Sequence, residues 1–291
     1  MKATAYMKRM KREDKVFTAI SWVIALGMAA LILFFLWVII NRGLLKITPG
    51  FLTAPPQELD AGGGIGPFLF NSFYVLVLSL IFSVPVGIGS GIFLAEYAPD
   101  NKITQYIRMC VEALASVPSI VFGLFGMAVF VDSLQIGLTI LGAAVSLALL
   151  NLPVLTRVTE QALKTVPFEL REASMALGAT RFQSLWTVVL PAAMSGIITG
   201  IGLVAGRAFG ESAVIILTAG TTSSGNLWDF NLFSPGATLA VHLWYVQSEA
   251  IVPDAREIAD KASAVLVMFA LGFNLLLRLP LMISRRMEGL R

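Results

Sequence analysis

Residues 163–191 read LKTVPFELREASMALGATRFQSLWTVVLP. This is the longest polar interruption between apolar segments that carries its own helical pattern. Pro167 opens it where proline suits a helix start, because its missing N–H would lack a partner in the first turn anyway. Phe168 to Leu177 then read as a short helix. Gly178 is placed to end it, since glycine accepts the left-handed conformation a helix terminus often needs. A second helical run begins at Arg181, and Pro191 stands where it enters an apolar stretch. Taken alone, these residues fit an amphipathic helix lying on a membrane surface.

The composition sets the surroundings. The chain has 291 residues, 57% hydrophobic and only 13% charged, with a mean hydropathy of +0.81. A soluble domain of this length could not hide so much apolar surface. The sequence therefore predicts an all-α, polytopic membrane protein. A single cysteine, Cys110, excludes an internal disulfide. A single histidine, His242, argues against a histidine metal centre, and no G-x-x-x-x-G-K-[ST] loop for nucleotide phosphates occurs. The chain itself should bind no cofactor and carry no enzymatic activity.

Working outward, hydropathy predicts six transmembrane helices. The first runs from Val16 to Ile40, after a basic tail at 1–15 that holds Lys2, Lys8, Arg9, Lys11, Arg12 and Lys15. It is longer than a signal-peptide core, so it reads as a retained helix. A Gly- and Pro-rich loop at 41–67 should lie outside. A core of five further helices spans 68–283, with helices near 68–95, 107–131, 136–155, 192–218 and 262–282. A polar loop at 158–190 and a short tail at 284–291, with Arg285, Arg286 and Arg291, complete it. Basic residues in both tails and the inner loops put the two termini and the loop at 158–190 in the cytoplasm. Residues 238–249 could form a short interfacial helix beside His242, which reads as an interfacial polar residue. Pro118 and Ser119 read as a kink that can expose backbone to a cavity.

Arg207 and Glu211 are the unusual charges of the fifth apolar segment. Four residues apart, they would share a helix face. Charges in a membrane helix cost about 2.5–3.5 kcal/mol on insertion scales and usually face a pathway. Two readings stand side by side: a substrate pathway, or an ion pair that locks the bundle. Gly202, Gly206 and Gly210 recur at a spacing of four, which suits close helix packing.

The pattern Glu172-Ala173-Ser174, Gly178, Val188-x-Leu190-Pro191 resembles the EAA loop of ABC-importer permeases, with serine in place of the second alanine and valine in place of isoleucine. VPSIVFGLFG at 117–126, EYAP at 96–99, LPVLTRVTEQALKTVP at 152–167 and RAFGESAVIILTAG at 207–220 look like the A-type permease of the phosphate-specific importer (PstA-type). The family commonly has threonine where Ser212 stands. The resemblance covers the chain from near Gly63 almost to its C-terminus.

It implies a type I ABC-importer permease fold in a prokaryotic inner (cytoplasmic) membrane. Glu169, Arg171, Glu172, Ala173, Ser174, Leu177 and Gly178 would form a coupling helix that docks on a cytoplasmic ATPase. Arg207, Glu211 and Ser119 would line the substrate path. The implied partners are a second, related permease, two ATP-binding subunits that hold ATP and Mg, and an extracytoplasmic phosphate-binding protein. No nucleic acid is implied. A permease for sulfate or molybdate is the alternative, and an intramembrane enzyme a more distant one.

Overall fold

The computed structural model describes residues 2–57, 61–249 and 252–288; side chains at 2–10, 12, 274 and 277–288 lie outside that description. No strand is formed among the described residues; an isolated antiparallel bridge joins Ser223 to Gly236. In chain order the helices are α1 (Lys2–Gly43), α2 (Pro49–Thr53), α3 (Gly66–Ile92), α4 (Lys102–Ala115), α5 (Ser119–Gly126), α6 (Ile140–Lys164), α7 (Phe168–Ala176), α8 (Arg181–Ser184), α9 (Leu190–Phe209), α10 (Ala213–Ala219), α11 (Leu239–Ser248) and α12 (Ala255–Glu288). π turns follow α3 at Phe93–Tyr97, α5 at Met127–Ser133 and α8 at Leu185–Val189.

Four helical stretches among the described residues are long and apolar enough to cross a membrane: Glu13–Lys46, Gly66–Tyr97, Ile140–Lys164 and Arg181–Phe209. The expected third span is not one straight helix. It is the pair Lys102–Ala115 and Ser119–Ser133, bent by 93°, which makes a fifth crossing if counted as one. Pro118 causes the bend: it has no N–H to donate and disfavours helical geometry at Val117. The expected sixth span lies on α12, and much of it falls where side chains are outside the description; Arg291 lies outside the described residues altogether.

Other boundaries shift for local reasons. The basic N-terminal segment continues α1 instead of preceding it, since Ala, Met, Lys and Arg are all good helix formers. The loop at 41–67 contains α2, started by Thr48, whose hydroxyl accepts from Phe51 N–H, with Pro49 in the first turn. α6 runs on to Lys164, so the loop expected from 158 begins later. The expected fifth helix breaks after Phe209 and resumes at Ala213.

The centre of the bundle is α3, α6 and α9. Small residues let the backbones close. A Cβ added to Gly87 would lie 2.6 Å from Leu155 Cβ, and one on Gly91 2.5 Å from Thr159 Cβ. On α9 the close approach falls at Gly196, against Ala162, and at Gly200, against Val158. Gly210, expected in such a strip, faces no neighbouring helix within 4 Å of an added Cβ. In lipid such contacts hold helices through van der Waals packing, because burial from lipid gains no hydrophobic term. α1 stands apart: none of its apolar window is buried within the chain, and it meets the body near Gly43, against Asp260 and Ala264 of α12.

The segment at 219–261, expected outside, is anchored, not loose. The first N–H groups of α6, which have no partner within their own helix, donate to carbonyls of that segment. Ile140 N bonds Ser234 O at 3.0 Å and Leu141 N bonds Leu232 O at 2.9 Å. The short helix expected near 238–249 forms as α11, and it packs into the chain: Leu239, Val241, His242 and Val246 are buried. The His242 ring stacks on Phe68 at 3.9 Å between centroids. His242, expected as an interfacial polar residue, is thus buried against a packing partner far away in sequence.

Candidate functional site

Two regions carry the predicted site residues. The first is the loop at the C-terminal end of α6. Pro167 precedes α7, and Gly178 takes a φ of +90°. The Gly178 N–H donates to Met175 O at 2.9 Å and the Ala179 N–H to Ser174 O at 3.3 Å. This paired closure satisfies carbonyls at the helix end and needs a left-handed residue between them. Thr180 and Gln183 then cap α8 reciprocally.

α7 buries none of its residues. Glu169, Glu172, Ala173, Leu177 and Gly178 are exposed and Ser174 is half-buried. Leu177, at the C-terminal end of α7, is 91% exposed, and Phe168, at its first residue, 62%. Beneath, Leu163, Val166, Leu185, Val189 and Ala193 form an apolar cluster. A cavity of about 510 Å³ opens between that cluster and α7, with Glu96, Lys164, Arg171, Arg181 and Ser184 on its walls.

Arg171 departs from the rest of its helix. Its side chain is only 14% exposed and points inward. Nε and Nη2 donate to Glu96 Oε1 at 3.2 and 2.8 Å. Nη2 also donates to Leu163 O at 2.7 Å, and Nη1 to Val166 O at 2.6 Å and Pro167 O at 3.4 Å. Unlike the other residues expected on the docking face, Arg171 has its guanidinium spent within the chain. The reason is local, because the end of α6 leaves carbonyls without helical partners.

The second region is the break between α9 and α10. Gly196 opposite Ala162 and Gly200 opposite Val158 fix the antiparallel register of α9 on α6. Arg207 follows on the same helix, near its C-terminal end at Phe209. Arg207 is exposed and Glu211 half-buried. α9 ends at Phe209, so the shared helix face expected for Arg207 and Glu211 does not form. Glu211 instead accepts from its neighbour Ala213 N–H at 3.1 Å, starting α10. Among the described residues, the ion pairs do not include one between Arg207 and Glu211. α5 packs alongside α10: Gly123 approaches Ala213 and Val214, and Gly126 approaches Thr218. The two helices are thus parallel. Ser119, first residue of α5, lies at the same end as Glu211, and it is half-buried.

Sequence reasoning missed Glu96, Arg108 and Glu160. Arg108 Nε donates to Glu160 Oε1 at 2.7 Å, and Arg108 Nη2 to Leu94 O at 2.9 Å. Lys164 Nζ reaches the same Glu160 oxygen at 2.6 Å. The signal was the proline of EYAP. Ala98 N–H bonds Phe93 O five residues back, but Pro99 has no N–H for the Leu94 carbonyl, which leaves an acceptor that a side chain must fill.

Helices long and apolar enough to cross a membrane, with a short exposed helix at the end of one and a charged break at the end of another, fit a transmembrane permease component. The chain belongs to the family of binding-protein-dependent transport system inner membrane components, whose profile matches residues 87–279; it is a membrane subunit of an ABC importer. It is 44% identical over 279 residues to the probable ABC transporter permease protein YqgI of Bacillus subtilis (strain 168), covering 92% of this chain and 95% of that protein. It is 29% identical over 269 residues to the phosphate transport system permease protein PstA of Haemophilus influenzae, covering 92% and 94%. Its fold resembles a chain of the inward-facing MetNI methionine ABC transporter, with a TM-score of 0.58, 22% identity, and coverage of 72% of this chain and 91% of that one.

Proposed function

We propose that this chain is the A-type membrane half of an ATP-driven phosphate importer, paired with a second, related permease. Two ATPase subunits, holding ATP and Mg, act from the cytoplasm, and a phosphate-binding protein delivers from outside. The observation that carries the pathway is Arg207, exposed beside the break that ends its own helix and free of an ion pair with Glu211. The likeness to the Haemophilus phosphate permease supports the choice of anion.

A phosphate ion needs some positive field to enter a low-dielectric gap, and a field too strong would trap it. Arg207 supplies the charge, and the nearby Glu211 carboxylate tempers it. Near neutral pH phosphate still carries a proton and can donate to a carboxylate, which sulfate cannot. Ser119, at the start of α5, supplies a further hydroxyl. On the cytoplasmic side Glu169, Glu172, Ala173, Ser174, Leu177 and Gly178 form the face offered to the ATPase.

Labelled phosphate uptake in Arg207→Gln, Arg207→Lys, Glu211→Gln and the double Arg207→Gln/Glu211→Gln variant tests this. Arg207→Gln should abolish uptake in an assembled complex. Arg207→Lys should be partly active, because lysine lacks the planar fork that fits phosphate oxygens. Glu211→Gln should admit sulfate, since an amide can also donate. Recovery of uptake in the double variant would make the two residues an ion pair and remove Arg207 from the path.

A further inference from the structure

The chain has a joint at the inner end of α3. Its π turn, Phe93–Tyr97, is gripped by two arginines from different helices. Arg171 of α7 takes the Glu96 carboxylate, and Arg108 of α4 takes the Leu94 carbonyl. Both arginines also hold α6: Arg171 through the Leu163 carbonyl, with Val166 just beyond the helix end, and Arg108 through Glu160. Side chains of Arg171 and Glu96 are 14% and 19% exposed, so this ion pair is shielded from solvent.

We infer that Glu96 and Arg171 are positioning residues forming a strut that passes displacement of α7 into α3, and that Arg108 extends it to α4. This rests on the reading of α7 as the ATPase-facing helix. Three observations lead there. α7 buries no residue of its own, so apolar packing does not fix its place. Every N–H of the Arg171 guanidinium is engaged, which leaves it no freedom to swing away. α3 and α6 close on each other at Gly87 and Gly91, leaving no slack between them. A push on the exposed Leu177 and Phe168 therefore reaches the bundle through the guanidinium. From the π turn, Arg108 leads into α4, whose bent partner α5 packs on α10 beside Glu211.

The strut demands arginine. Lysine has three donors on one nitrogen and cannot span a carboxylate and three carbonyls. Glu96→Gln keeps shape and an acceptor but removes the charge that makes these hydrogen bonds strong.

The test is the ratio of labelled phosphate moved to ATP hydrolysed, measured in proteoliposomes with the whole co-purified complex. Arg171→Lys and Glu96→Gln should keep the ATPase subunit and its hydrolysis while the ratio falls about tenfold, the scale of one lost charge-assisted hydrogen bond. The double variant should be no worse than either single one, because both break one link. Glu96→Asp should recover part of the ratio. A wild-type ratio in both single variants overturns the strut. If Arg171→Lys fails to assemble, Glu96→Gln decides alone. Leu177→Glu, run in parallel, should release the ATPase subunit. Release there with wild-type ratios in the strut variants overturns the strut only; retention overturns the docking reading, and the strut's role falls with it.

Discussion

Gly178 isolates backbone strain from every other effect of a substitution. Its φ is +90° and nothing lies within 4 Å of an added Cβ, so a side chain there meets no neighbour. What remains is the cost of holding an L-residue in the left-handed region, about 1–2 kcal/mol. That closure carries the Gly178 and Ala179 N–H bonds to Met175 and Ser174. A loss of one or two kcal/mol shifts an open–closed equilibrium by roughly 5–30-fold. Amide hydrogen exchange at 178 and 179 in the purified complex should therefore speed up by that factor in Gly178→Ala. Gly178→Asn should change least, since asparagine tolerates this region, and Gly178→Val most, since a β-branched residue is a true outlier there. Phosphate uptake should fall in the same order. Equal exchange in the Gly, Ala and Val proteins would refute the strain argument, and so would asparagine being the worst.

Packing between α3 and α6 predicts that Gly91→Ala, whose Cβ would sit 2.5 Å from Thr159 Cβ, lowers the melting temperature by an amount equal to about 1–3 kcal/mol. Gly89→Ala, with nothing within 4 Å, should be neutral or slightly stabilising by up to about 1 kcal/mol; equal melting of the two would sink the contact argument. Burial pushes the pKa of His242 down to about 4, below its ordinary value near 6.5. The folded state thus binds fewer protons between those values, so stability is full above about 6.5 and falls as the pH drops towards 4, by up to about 3 kcal/mol. Thermal melts at stepped pH should show this slope, and His242→Gln should flatten it. For topology, Cys110, which is exposed, is replaced by serine, and single cysteines are placed at Ser174 and Ser223. A membrane-impermeant thiol reagent on intact cells should label the Ser223 position alone; labelling at Ser174 would reverse the orientation.

What the sequence revealed was local. Pro167 and Gly178 bracket α7 through chemistry that acts within a turn, and both could be read directly. Thr48-Pro49 uses the same chemistry, but its helix is five residues long, too short for any hydropathy window to register. Pro118 announced a kink without its size, since a 93° bend depends on where α4 and α5 find partners. The break after Phe209 was hidden because Val214 to Leu217 continue the apolar run. The inward turn of Arg171 was out of reach. Its partner, Glu96, is 75 residues earlier, and helical spacing puts an arginine beside Glu172 on the same solvent-facing helix. His242 was misread for the same reason: Phe68 stands far away in the chain and next to it in space.

The isolation of α1 sets an order of events during synthesis. The segment it meets within the chain, around Asp260 and Ala264 of α12, is made more than 200 residues after Gly43. Until then α1 must stand in the bilayer as an independent helix, stable through its own backbone hydrogen bonds and the lipid around it. The remaining core, α3 through α11, can assemble in that interval without it. Docking of α12 against Gly43 then joins the earliest helix to the latest, so a chain that stalls before Asp260 leaves α1 inserted but unattached.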